Sequence, residues 1–148
     1  MRIYETGVGE ERRTEELTEV WERSVKATHS FLPDMAREEL KKIVPGLLAE
    51  VPHLAVAEDD RGALAGFMGI DGQELEMLFL APEVRGQGLG RQLLEYGIQT
   101  FGVSQLGVNE QNPQARGFYE HMGFAVCGRT ETDGMGNPFP ILRMERRN

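Results

Sequence analysis

The run LEMLFLAPEVRGQGLGRQLL, residues 75–94, constrains the fold more than any other part of the chain. An apolar segment leads directly into glycines at 86, 88 and 90, and a helical pattern follows through Leu89, Leu93, Leu94, Tyr96 and Ile98. A glycine carries no Cβ, so the backbone amides around it can turn inward and approach a ligand closely. The start of the next helix adds free N–H groups and the positive end of its dipole. A strand, glycine loop and helix in this order can therefore hold an anion, and Arg85 and Arg91 add positive charge. The same glycines also serve a plain tight connection, so the loop alone leaves both uses open.

Two nucleotide loops are excluded by spacing. A Walker-type phosphate loop places Lys-Ser or Lys-Thr after its last glycine, where this chain has Arg91-Gln92. The dinucleotide fingerprint is G-x-G-x-x-G, whereas this chain reads G-x-G-x-G and does so in mid-chain.

The flanking pattern fills in the rest. Residues 2–6 read as a short strand. Thr14 is placed to cap a helix with Glu15 and Glu16 in its first turn. Leu17, Val20, Trp21, Ser24, Val25 and Thr28 recur at helical spacing behind it. A second helical pattern runs through Leu40, Ile43, Val44, Leu47, Leu48 and Val51, with Pro45 expected to kink or divide it. The period then shortens: HLAVAE, the turn DDRG and ALAGFMGI read as a hairpin, and Asp71-Gly72 turns into the strand LEMLFL. QLGVN is a short strand, and a helix starts near Pro113 and closes at Met122-Gly123-Phe124. Two last strands, 124–129 and 141–146, flank a turn containing Asp133, Gly134, Gly136 and Asn137. The expectation is a single domain, residues 1–148, of mixed α/β (α+β) class. Its sheet is mostly hairpin-connected, with a parallel crossover through the helix after the glycine loop.

Composition narrows the function. A net charge of -8 argues against nucleic-acid or anionic-membrane partners and suits an amine-bearing substrate. No apolar run is long enough for a membrane helix, and the opening residues are too polar for a signal peptide. The single cysteine, Cys127, allows no internal disulfide, which fits the cytoplasm. It is expected to pack within a strand rather than react. No Cys–His cluster points to a metal.

The segment LFLAPEVRGQGLGRQLL closely resembles motif A of the GNAT (Gcn5-related N-acetyltransferase) superfamily. Its signature is Arg or Gln, two residues, Gly, one residue, then Gly or Ala, and Arg85, Gly88 and Gly90 satisfy it. VNEQNPQARGFYEHMGF resembles motif B through Asn112, Ala115, Phe118, Tyr119, Gly123 and Phe124. Both motifs stand in the family's order, and the resemblance covers essentially the whole chain. ATHSFL and VNEQNPQARGFY further resemble the small bacterial YjaB-type acetyltransferases.

The resemblance implies a mostly antiparallel sheet of about six to seven strands flanked by about four helices, in a monomer or homodimer. It implies acetyl-CoA as cofactor and direct acetyl transfer to a primary amine of unknown identity; a non-catalytic acetyl-CoA sensor is the alternative. Its pyrophosphate would lie on backbone amides of Arg85, Gly86, Gln87, Gly88, Leu89, Gly90 and Arg91. The pantetheine arm would pair with the backbone at Leu78 and Leu80, beside Asn112, in a gap where that strand leaves QLGVN. Tyr119 is the implied acid for the departing thiolate. Strand alternation puts Glu74, Glu76, Leu78 and Leu80 on one face and Leu75, Met77 and Phe79 on the other. Glu76 is then the favoured base, with Glu74 close behind. His29 and His53 are rival bases because histidine titrates near neutrality. His29 ends the first helix, where this family builds its acceptor pocket, and Trp21, Phe31 and Met77 are candidates to shape it.

Overall fold

The structure is a computed structural model that describes residues 1–6, 13–28, 32–134 and 136–146. Its strands are β1 (Arg2–Glu5), β2 (His53–Glu58), β3 (Leu64–Asp71), β4 (Glu74–Leu80), β5 (Gln105–Asn109), β6 (Phe124–Thr130) and β7 (Ile141–Arg146). The helices are α1 (Thr14–Thr28), α2 (Asp34–Glu50), α3 (Leu89–Phe101) and α4 (Pro113–His121). The strands form one sheet in the order β1-β2-β3-β4-β5-β7-β6. Every neighbouring pair is antiparallel except β4 and β5. A parallel pair needs a crossover, and α3 provides it.

Strand alternation sends each face of the sheet into its own core. Leu93 and Leu94 of α3 and Tyr119 of α4 pack with Met68, Ile70, Leu106 and Met144. On the opposite face, Leu17, Val20 and Val25 of α1 and Val44 and Leu48 of α2 pack with Leu54, Val56 and Phe67. Residues of β3 contribute to both cores, which is why it reads as a continuous apolar run. Gly97 lets α3 lie against that strand, since a Cβ there would stand 3.0 Å from the Met68 sulfur.

Three local expectations are corrected. Pro45 does not divide α2, which runs unbroken from Asp34 to Glu50; it removes one backbone donor from a helix that buries only Val44 and Leu48. Thr14 is the first residue of α1 rather than its cap. The turn begins at Arg13, whose φ is 54° and whose carbonyl accepts the Leu17 N–H at 3.0 Å. Arg13 can hold that backbone because its guanidinium donates to Glu58 at 2.9 Å and to the Gly62 carbonyl at 2.7 Å. Cys127 is exposed, because the β6–β7 register slips between Val126 and Gly128 and leaves it as an unpaired bulge residue. Among the described residues no helix is long and apolar enough to cross a membrane.

Candidate active site

The site begins with a fork in the sheet. β4 and β5 pair only at Glu74–Gln105 and Leu75–Leu106, and beyond these rungs the strands part. The cause lies on the other edge of β4. There Leu75 faces Ile70 and Met77 faces Gly69, so Glu76 has no partner and forms a bulge. One extra residue bends a strand and increases its twist. It also resets the alternation expected from sequence. Leu75 joins Leu78 and Leu80 on the α3 side, while Met77 and Phe79 pack towards α1. Glu74 therefore turns to the face opposite Leu75 and does not share a face with Leu78 and Leu80.

Two clefts meet at this fork. The smaller, of about 170 Å³, lies between β4 and β5 and is lined by Glu76, Gly107 and Asn109. The larger, of about 430 Å³, runs along the glycine loop past Arg85, Gly88 and Arg91. Leu78, Phe79, Asn112, Ala115 and Tyr119 line both. Past Leu75, the β4 edge facing β5 has no strand partner, so its backbone polar groups are available.

The glycines of the loop have different jobs. Gly86 and Gly88 sit at φ 77° and 84°, a left-handed region where side chains are strained, and a Cβ on either would meet nothing within 4 Å. Gly88 caps α3 without any side-chain bond, and the N–H groups of Leu89, Gly90 and Arg91 have no partner among the described residues. Gly90 instead allows close packing, since its Cβ would lie 3.5 Å from both Leu80 and Phe118. The loop side chains are tied back. Arg85 donates to Gln114 at 2.8 Å, Arg91 to Glu95 at 2.8 Å, and Gln87 to the Glu83 carbonyl at 3.2 Å. Glu83 is itself paired with Arg23, which fixes the loop to α1. Gln87 lines neither cleft, unlike its neighbours.

Tyr119 is 8% exposed and packs edge-on against Phe118 and Phe124, with ring centroids 5.2 and 6.1 Å away. Burial pushes its phenol well above the ordinary range, so it stays protonated. Its hydroxyl has no hydrogen-bond partner among the described residues, although the residue lines both clefts. Glu76 also holds its proton more tightly than an ordinary carboxyl. Partial desolvation in the small cleft is the main cause, then the charge and hydrogen bond of Glu74 and the charge of Asp71, with Arg143 opposing. Arg143 donates to Glu74. Asn112 caps α4 by accepting the Ala115 N–H at 3.2 Å, which leaves its side-chain NH₂ as a donor at the junction of the clefts.

Other sequence candidates lie elsewhere. Trp21 is buried in the core against the sheet and lines neither cleft, because the apolar stripe of α1 is used up in packing. His53 Nδ1 lies 2.7 Å from the accepting Glu5 Oε2, its ring is tilted against Phe101 with centroids 4.5 Å apart, and it lines neither cleft. His29 and Phe31 lie outside the described residues. Ser24 and Thr28 on α1 and Gln114 on α4 line the large cleft and were not singled out from sequence. Ser24 and Thr28 were read only as small members of a buried stripe, and no pattern marked Gln114.

Comparisons with known proteins agree with this geometry. Residues 14–146 match the family model described as acetyltransferase (GNAT) domain. The chain is 45% identical over 130 residues to the peptidyl-lysine N-acetyltransferase YjaB of Salmonella typhimurium, covering 88% of this chain and 89% of that one. It is 46% identical over 130 residues to YjaB of Escherichia coli, covering 88% of each. The solution structure of apo-form YjaB from Escherichia coli superposes with a TM-score of 0.86 at 43% identity, covering 98% of this chain and 97% of that one. A PaiA N-acetyltransferase from Thermoplasma acidophilum, solved with coenzyme A, shares the fold at 24% identity and a TM-score of 0.73, with all of both chains covered. These relationships favour catalysis over the sensor alternative. With nearly half its residues shared along most of two such enzymes, the chain belongs to the GNAT acetyltransferase family and is an N-acetyltransferase that uses acetyl-CoA.

Proposed function

We propose that this enzyme acetylates lysine side chains of proteins or peptides, working in the cytoplasm, with Glu76 as the base and Tyr119 as the acid. The observation that carries the reading is the small cleft at the fork, which a bulged carboxylate and an unpaired, protonated phenol line together. Two relatives of 45% and 46% identity are named peptidyl-lysine N-acetyltransferases, which supports lysine as the acceptor. A net charge of -8 also suits a cationic acceptor. The single cysteine fits a reducing compartment.

The loop fits a diphosphate. Gly86 and Gly88 line the cleft, a Cβ on either would enter open space, and the first N–H groups of α3 are unpartnered. Backbone N–H groups of residues 86–91 would hold the pyrophosphate, the Arg85 N–H being engaged with the Pro82 carbonyl at 3.3 Å, with the Arg85 and Arg91 side chains lending charge. The free edge of β4 at Leu78 and Leu80 would take the amide-bearing arm, with the Asn112 NH₂ donating beside it. When bound, acetyl-CoA supplies an acetyl group activated as a thioester.

Glu76 takes the proton from the incoming ammonium, because only a neutral amine has a lone pair to donate. Its raised proton affinity brings it closer to the working pH of a base. Glu74 stands beside it on β4, held by Arg143. Tyr119 holds a proton at Oη for the departing sulfur, and no competing hydrogen bond holds that proton elsewhere among the described residues. The test is thiol release with lysine-containing peptides against a panel of small free amines, with mass spectrometry locating the acetyl group. Acetylation at lysine Nζ supports the reading. Turnover with small amines and none with peptides overturns it.

A further inference from the structure

We propose that Arg143 is a positioning residue of this active site: by fixing Glu74, it assigns the role of base to Glu76. The proposal rests on the reading of Glu76 as base and explains why that carboxylate serves rather than its neighbour.

The route of the side chain is the first observation. Arg143 stands on β7 opposite Gly107 of β5 and Gly128 of β6. A Cβ on Gly107 would lie 3.0 Å from Arg143 Nη1 and 2.9 Å from Ile141 Cγ2, and one on Gly128 would lie 3.6 Å from Arg143 Cβ. The guanidinium therefore crosses β5 over bare backbone. It reaches a strand that β7 does not touch and donates from Nη2 to Glu74. Both side chains are only about a third exposed, at 35% and 31%.

The place where the contact forms is the second. Glu74 sits on one of the two rungs that join β4 to β5 before they part. Arg143 thus closes the root of the fork, two residues before the bulge at Glu76. The charged groups facing Glu76 are Glu74 on its own strand, Asp71 at the end of β3 and Arg143 from β7. Tyr119 of α4 lines the same cleft as a neutral phenol, and every other residue lining the small cleft is uncharged.

The chemistry follows from these neighbours. Glu74 and Glu76 lie two residues apart on β4, the charge of Glu74 acts on Glu76, and two adjacent carboxylates resist ionising together. Arg143 is a permanent cation with a fixed fork of donors, and it is bound to Glu74 alone of the two. The guanidinium holds the Glu74 carboxyl through this bond. Glu76 is left as the group whose proton comes and goes, at the position that lines the cleft. The pair titrates as a unit, so its behaviour is read from the acid limb of the rate profile rather than from either residue alone.

The experiment measures kcat and kcat/KM against pH for one lysine peptide at saturating acetyl-CoA. Four variants are compared: Glu76→Gln, Glu74→Gln, Arg143→Met and Arg143→Gln. The amine titrates identically in all of them, so differences between limbs belong to the enzyme. Arg143→Met removes the cation that favours ionised Glu76 while Glu74 remains, so its acid limb moves to higher pH. Glu74→Gln removes the neighbouring charge, so its limb moves to lower pH. KM for acetyl-CoA stays at the wild-type value in both, because neither residue touches the glycine loop. A merely structural role would lower the rate and leave the limbs where they were. If Arg143→Met does not fold, Arg143→Gln, which keeps a donor for Glu74 but not the charge, must show the same upward move. Unmoved limbs in the Arg143 and Glu74 variants, with Glu76→Gln inactive, overturn the role of Arg143 alone. Wild-type rate and limb in Glu76→Gln overturn the base assignment beneath it.

Discussion

Gly88→Ala separates the two jobs that a loop glycine can perform. Gly88 sits at φ 84° as the cap of α3, and a Cβ built there meets no atom within 4 Å. The substitution therefore causes no clash, and its cost to the fold is the left-handed backbone alone, about 1–2 kcal/mol. In a chain of this size each kcal/mol lowers Tm by roughly 2–4 °C, so the fall should be about 2–8 °C. Gly88 also lines the cleft, next in sequence to the unpartnered N–H groups of Leu89, Gly90 and Arg91, so the new methyl is expected to crowd a phosphate held there. Losing one hydrogen bond between such a group and a charged phosphate is worth about 1.5–3 kcal/mol, or roughly a tenfold to hundredfold rise in Kd for acetyl-CoA. Gly72→Ala supplies the control. It has φ 62° and an equally empty surround, but it lies in the β3–β4 turn and lines neither cleft. Calorimetric titration with coenzyme A and thermal melts should show similar losses of Tm in both variants, with weakened binding only in Gly88→Ala. Equal affinity in the two would refute the cradle, and a Gly88→Ala protein as stable as wild type would refute the strain.

Tyr119→Phe should lower kcat by about 10²–10⁴-fold with unchanged Kd for coenzyme A, and steady-state rates beside binding titrations check it. Because the hydroxyl has no partner among the described residues, the melt should not fall. Glu76→Gln should lower kcat by a similar factor yet raise Tm at neutral pH. The folded protein holds this carboxyl above its unfolded proton affinity, so the group's stabilising contribution is present at low pH and lost as pH rises through the folded value. Melts from neutral to acid pH should therefore show the advantage of Gln shrinking. Glu58→Gln should have the opposite sign. The Tyr4 hydroxyl at 3.0 Å and then Arg13 at 2.9 Å depress the Glu58 carboxyl, so its contribution is present above the unfolded value and lost as pH falls through the folded one. The variant should melt earlier than wild type at neutral pH and converge with it in acid.

Local chemistry was legible in the chain itself. Glycines at 86, 88 and 90 mark a loop without Cβ atoms between a strand and a helix; the structure has that loop, with Gly86 and Gly88 in left-handed backbone. Pro113 marks a helix start because its missing N–H costs nothing in the first turn, and α4 begins there. Periodicity separated the α1 stripe from the strands, since one turn of helix or one pleat sets it. The same periodicity assigned Leu75 and Glu74 to the wrong faces. A bulge is a mismatch between two strands, and β4 alone contains no sign that Gly69 and Ile70 will face Met77 and Leu75. Trp21 looks the same in sequence whether it lines a pocket or fills a core; only the sheet packed beneath α1 decides. Cys127 became exposed through a register slip against β7. Arg143 carries no local signature at all. Its partner is 69 residues away, across a strand whose glycine leaves the path open. The sequence determined where the chain turns and where a glycine loop leads from a strand into a helix, since those depend on neighbours along the backbone. Which carboxylates meet, and which cation sorts them, was decided by the folding of distant strands into one fork.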